Sequence, residues 1–82
     1  MSILDAEIYY SQKEFRRSIK EFEKVFTFLG ANKSDDAQLK LGLCYINIGH
    51  IYQAKQEFNK LLANYPNSEY YNKAKKYLQQ YH

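Results

Sequence analysis

Residues 6–25 and 42–61 carry one pattern twice. Laying "AEIYYSQKEFRRSIKEFEKV" over "GLCYINIGHIYQAKQEFNKL" sets Ala6 on Gly42, Tyr9 on Tyr45, Phe15 on Ile51, Ser18 on Ala54, Phe22 on Phe58 and Val25 on Leu61. Every pair keeps the offset of 36 residues that separates Ala6 from Gly42. Small falls on small and bulky on bulky. Self-similarity at such a period marks a chain built by stacking one supersecondary unit on the next. The unit is a helix–turn–helix hairpin. Phe15, Ile19, Phe22, Val25, Phe26 and Leu29 recur at the i, i+3, i+4, i+7 spacing of one helix face. Ile51, Ala54, Phe58, Leu61, Leu62 and Tyr65 do the same, and both segments carry charged outer faces. Ala6 and Ser18, like Gly42 and Ala54, are small where the helices of a hairpin cross. Tyr45 and Phe58 fill the space on either side. Gly42 costs about 1 kcal/mol of helix propensity relative to alanine, which closer packing has to offset.

Gly30, Gly49 and Pro66 punctuate these segments. Gly49 lets one helix end in a left-handed cap and turn back. "SQKE" at residues 11–14 has the form of a capping box, with Ser11 and Glu14 as its reciprocal partners. Ser34 or Asp35 suits the start of a third helix and Ser68 the start of a last one. No alternating strand pattern is present. The expectation is all-α, with helices near 3–11, 13–28, 35–48, 51–64 and 68–80.

The 82 residues allow a single domain or a fragment of an array. A chain of this size buries only about 60% of the surface its unfolded form exposes. Twelve Lys+Arg against nine Asp+Glu leave a net charge of +3, short of a nucleic-acid footprint on charge alone. The single Cys44 excludes an internal disulfide, and no zinc-ligand spacing is present. "MSILDAEIYY" has neither a basic leader nor a long apolar core, and no segment could span a membrane. The chain as given is therefore expected in the cytoplasm, or in the periplasm if it is excised from a longer exported precursor.

The frame "LGLCY" at residues 41–45, with Gly49, Ala54, Phe58 and Pro66, resembles the tetratricopeptide repeat, or TPR, whose units run to about 34 residues. The resemblance covers nearly the whole chain. Repeat 1 takes about 1–32, repeat 2 about 35–68, and a capping helix about 68–80. The offset of 36 places two extra residues in the loop "GANKSDD". The first unit departs from the second in having Asp5 where the second has Leu41, and the third only begins. The string "LG.CY…G…A...F..LL..YP.S" is similar to bacterial TPRs, namely the Tol–Pal-associated periplasmic coordinator and the TPR-built outer-membrane assembly lipoproteins.

The resemblance implies an α-solenoid, a superhelix whose first helices line a concave groove for a partner. Carried over by register, the groove positions are Ile3, Glu7, Tyr10 and Ser11, then Leu39, Leu43, Ile46 and Asn47, then Lys73, Tyr77, Gln80 and Tyr81. Leu39, Leu43 and Ile46 give the third helix a second apolar face, which is either covered by the chain itself or a neighbouring subunit, or binds something. A clamp for a C-terminal carboxylate, found in chaperone-binding relatives, would fall on Ile3, Glu7, Lys40, Tyr70 and Ala74. Only Lys40 suits it, and Glu7 would repel the ligand.

The remaining candidates read as structural. Cys44 sits among apolar residues as an inert thiol. His50 and His82 lack partners at metal-ligand spacing. "KAKK" with Tyr70, Tyr71 and Tyr77 could interleave cations with stacking rings for RNA, but a polar capping helix with its rings packed on Phe58 and Leu62 accounts for it better. Asp35–Asp36 suits a helix start rather than a metal. No phosphate loop or Ser/His/Asp set is present, so no catalytic residue and no cofactor is expected. The leading reading is a non-enzymatic module that binds another protein or peptide. Its rival is a self-association domain forming a homo-oligomer through the groove and the open solenoid end, since fewer than three repeats are seldom stable alone.

Overall fold

The computed structural model describes residues 3–29 and 34–81. They form five helices: α1 (Ile3–Ser11), α2 (Phe15–Leu29), α3 (Asp35–Asn47), α4 (Ile51–Asn64) and α5 (Tyr71–Gln80). No strand occurs among the described residues. Gly30, the part of the lengthened loop at residues 31–33, and His82 lie outside them. Each helix packs on the next in the chain, and α1 also meets α3. Chain order is thus spatial order, a small solenoid-like arrangement of adjacent helices.

The two intra-hairpin turns repeat each other bond for bond. Lys13 N–H donates to Tyr10 O at 3.0 Å and Glu14 N–H to Tyr9 O at 2.8 Å. Thirty-six residues on, Gly49 N–H donates to Ile46 O at 3.0 Å and His50 N–H to Tyr45 O at 2.8 Å. Together these are the paired bonds of a Schellman C-cap. Its apex residue must be left-handed, and Gly49 has φ 82° and Lys13 φ 62°. Glycine adopts that conformation freely, whereas a side chain there costs about 1–2 kcal/mol. Lys13→Gly is therefore expected to stabilise the chain by about 1 kcal/mol, read as a higher urea midpoint at unchanged slope.

This turn overrides the capping box expected at residues 11–14. Ser11 ends α1, and its hydroxyl donates to Ile8 O at 2.8 Å. Glu14 sits just ahead of α2, where its backbone carbonyl accepts from Ser18 N–H. α3 is capped by Ser34, whose side chain accepts from Ala37 N–H at 3.1 Å, with Asp35 and Asp36 in the first turn. α5 starts at Tyr71 rather than at 68. Ser68 instead ties down the preceding turn, accepting from Tyr70 N–H at 3.0 Å and donating to the Asp35 carboxylate.

Two core clusters follow from the repeat. The first gathers Ala6, Ile19, Phe22, Ala37, Leu41 and Cys44, and the second Leu39, Ala54, Phe58, Leu61 and Ala74. Phe22 and Phe58 are the bulky buried rings of the two clusters, and half-buried Tyr45 packs against both. At the first crossing the buried Ser18 hydroxyl donates to Ala6 O at 2.7 Å, satisfying itself on a helix backbone that has come close enough to touch. In the second hairpin a Cβ added at Gly42 would lie 2.5 Å from Phe58 Cε1, so the ring occupies the room the glycine leaves. One polar pair joins α3 to α4 inside the core. Gln38 Nε2 donates to Glu57 Oε1 at 2.6 Å, and Lys60 Nζ reaches Glu57 Oε2 at 3.3 Å.

Candidate interaction surface

The expected groove residues lie on α1, α3 and α5, save Tyr81, which caps α5. Tyr10, Leu43, Ile46, Tyr77 and Tyr81 are half-buried, as are Ile3 and Glu7, while Ser11, Asn47, Lys73 and Gln80 are exposed. Leu39 differs. It is 3% exposed, closed into the second cluster with Phe58 and Ala74. The chain's own packing thus covers one end of the second apolar face of α3. Leu43 and Ile46 lean on the same cluster but keep part of their surface.

Three helices meet electrostatically through their side chains at this surface. Burial pushes the Tyr10 phenol above its usual range, Cys44 and the Tyr77 phenol add to the rise, and Lys40 opposes it. Lys40 Nζ binds Glu7 of α1 at 2.8 Å and Asp36 at 3.0 Å, and lies 5.8 Å from the centre of the Tyr10 ring. Burial opposes the lysine's charge, but the hydrogen bonds it donates to Glu7 and Asp36 outweigh this and hold its pKa above the ordinary value. The one cation suited to a carboxylate clamp is thus engaged by two carboxylates. Asp36 and Lys40 are an i, i+4 pair, a signal visible in the sequence that periodicity alone did not single out. Asn47 Nδ2 donates to Leu43 O at 2.8 Å, which holds its side chain against α3.

The residues of the helix crossings sit elsewhere. Tyr9 receives Arg17 over its ring at 5.9 Å, and Tyr45 donates from its hydroxyl to Glu23 at 3.0 Å. His50 is exposed but stacks on Tyr45, with centroids 6.3 Å apart. Burial first, and then the Glu23 carboxylate, drive the Tyr45 phenol far up. The folded state therefore holds that proton more tightly than the unfolded chain does. Its contribution is complete below about pH 10, the ordinary tyrosine value, and is lost as pH rises beyond it. Lys40, also raised, acts in the same direction over the same range. Stability is expected to fall steeply above about pH 10. Tyr45→Phe should flatten that fall, as read by urea unfolding at stepped alkaline pH.

Two tyrosines at the last helix, Tyr70 and Tyr77, pack on the core. Tyr77 stacks on Phe58, centroids 5.2 Å apart at 10°, and Tyr70 joins Leu62 and Leu78 against the second cluster. Lys73, Lys75 and Lys76 stay exposed. Lys73 and Lys76, with Asn72, Tyr77 and Gln80, line an open cleft of about 490 Å³ on α5. The Tyr70 and Tyr77 rings are thus committed to packing rather than presented for base stacking. Cys44 is fully buried, and burial raises its thiol pKa. Leu4 and Ile8 on α1 went unremarked in the sequence and are 63% and 44% exposed. Their signal was the offset itself, because Ile8 falls on the buried Cys44.

Among the described residues, no group of three or more His, Cys, Asp or Glu could hold a metal, and no helix is long and apolar enough to cross a membrane. Residues 36–68 match the family model for the tetratricopeptide repeat, a segment that runs from the first turn of α3 to Ser68. No curated protein and no solved structure matches the chain. Residues 36–68 are thus similar to one tetratricopeptide repeat, set within five helices that each pack on the next.

Proposed function

We propose that this chain is a protein-binding scaffold in which α1, α3 and α5 line one groove for a peptide or helical segment of another protein. The observation that carries the reading is the set Tyr10, Leu43, Ile46 and Tyr77. These residues come from three successive first helices, and each keeps part of its apolar surface outside the core. Tyrosines around an aliphatic patch offer contact area at small entropic cost, with hydroxyls free to bond a partner backbone. An amphipathic helix or extended segment with apolar anchors fits such a surface. The Glu7–Lys40–Asp36 cluster supplies a charged wall and argues against a free carboxylate as the ligand.

On this reading the chain is one TPR domain, an α-solenoid with hairpins at about 1–32 and 35–68 and α5 as its cap. The matched segment 36–68 supports the second of these units, and the duplicated Schellman turn supports the first. Kinship with the Tol–Pal-associated and outer-membrane assembly types rests on the "LG.CY…YP.S" string, and with it any role in the cell envelope. The test compares wild type with Leu43→Glu and with Tyr52→Glu, a control on the outer face of α4 where Tyr52 is 71% exposed. Cross-linked partners should fall at least tenfold with Leu43→Glu and persist with Tyr52→Glu. Equal recovery by wild type and Leu43→Glu removes Leu43 from the site and the groove from the proposal.

A further inference from the structure

The groove proposed above is not electrically uniform. Where α1 meets α3, the carboxylates of Glu7 and Asp36 surround the single ammonium of Lys40. All three charges are engaged there, and two carboxylates against one ammonium leave a negative excess. The α5 side is the reverse. Lys73 and Lys76 are exposed, and α5 has no acidic residue between Tyr71 and Gln80. The ion pairs of the described residues take up Lys24, Lys40 and Lys60 and leave Lys73 and Lys76 out. Both lysines line the α5 cleft with Tyr77, whose ring is fixed by stacking on Phe58. Lys73, Tyr77 and Gln80 are groove positions on that reading, so the cleft is the α5 side of the groove and not a separate site. The Tyr77 phenol also adds to the rise of the Tyr10 phenol on α1, as two groups facing a common space do.

We propose that the segment this groove binds is acidic, with apolar side chains on Leu43 and Ile46 and, beside them, Asp or Glu side chains on Lys73 and Lys76. The proposal rests on the groove reading and names the chemistry of its ligand. Lys73 and Lys76 stand three residues apart on one helix face, so they meet carboxylates spaced along a segment. An ammonium on a flexible stem is a point charge that imposes no planar geometry, so Asp and Glu serve alike. The Glu7 and Asp36 side repels the same acids. The acidic part of the segment therefore lies toward α5, and a basic residue, where the segment has one, toward α1. Exposed ion pairs add modestly to affinity and more to the choice of partner. Binding weakens as salt rises.

Selection of a displayed library of random linear peptides on the immobilised chain tests this, with thermal melts to confirm that each variant is folded. Wild type should enrich Asp and Glu next to an apolar core, and the enriched peptides should bind less tightly in moderate salt. Lys73→Glu/Lys76→Glu should weaken those peptides by about tenfold or more, and its own selection should turn toward Lys and Arg. Arg16→Glu/Lys20→Glu reverses as many charges at exposed positions of α2 and should keep the acidic preference. Loss of the preference there too would assign it to net charge and overturn the proposal. Peptides without acidic bias that bind wild type and fail with Leu43→Glu overturn the proposal and leave the groove standing. Acidic peptides that need Lys73 and Lys76 but bind Leu43→Glu like wild type overturn both, because the lysines then act outside a groove. A labelled oligouridylate that binds wild type and not Lys73→Glu/Lys76→Glu, while no peptide is enriched, gives the lysines to nucleic acid and overturns the proposal as well.

Discussion

Phe58→Ala is expected to remove about 3–5 kcal/mol of stability and to lower the melting temperature by roughly 10–40 °C. Phe58 is 1% exposed and lies between two surfaces. Tyr77 stacks on it at 5.2 Å, and the backbone at Gly42 lies close to Cδ1, Cε1 and Cζ. Removing the ring strips contacts from α3, α4 and α5 together, and a glycine has no side chain with which to refill the void. An 82-residue chain has about 4–12 kcal/mol in total, so one substitution consumes a large share of it. Gly42→Ala probes the same contact from the other side. Alanine gains about 1 kcal/mol of helix propensity. Its Cβ, however, would stand 2.5 Å from a ring held on its other face, and overpacking costs about 1–3 kcal/mol. The net sign is destabilising, and Gly42→Ala combined with Phe58→Leu should lose less than the two single changes summed. A Phe58→Ala protein that melts with wild type, by circular dichroism, would mean that the ring does not fill this space.

The architecture was legible because the repeat constrains it from two places at once. Pairing Gly42 with Ala6 and Phe58 with Phe22 says where helices cross, and no single helix wheel could say that. Gly49 announced its left-handed cap, since glycine is the residue that conformation selects. Lys13 occupies the same conformation in silence, and for that reason the S-x-x-E pattern beside it was misread as a helix start. A lysine with positive φ leaves no trace in composition; only the offset to Gly49 betrays it. The start of α5 was misplaced for a related reason. Ser68 does bond a backbone N–H, but in a turn one step ahead of the helix. On the candidate surface, Leu39 and Leu43 look alike in sequence, and what separates them is where α5 returns. That depends on the turn at residues 65–70 and not on helical periodicity.

The Gln38–Glu57 pair is where a single change should do most damage through polarity rather than volume. Gln38 is 2% and Glu57 8% exposed, and the amide Nε2 donates to the carboxylate at 2.6 Å. Gln38→Leu keeps the bulk and deletes the donor. Glu57 then keeps Lys60 at 3.3 Å on its other oxygen, on a side chain 60% exposed and free to leave. An unmet buried acceptor costs about 1–3 kcal/mol, and the charge places this one toward the upper end. The double variant Gln38→Leu/Glu57→Leu removes both polar groups and returns α3 and α4 to an apolar seam, with Lys60 solvated. Its loss of stability should be well below the sum of the single losses. Urea unfolding of the four proteins gives the coupling energy directly. Strictly additive losses would mean that the two residues stabilise α3 and α4 independently, and that the close contact between them contributes nothing to holding the second hairpin together.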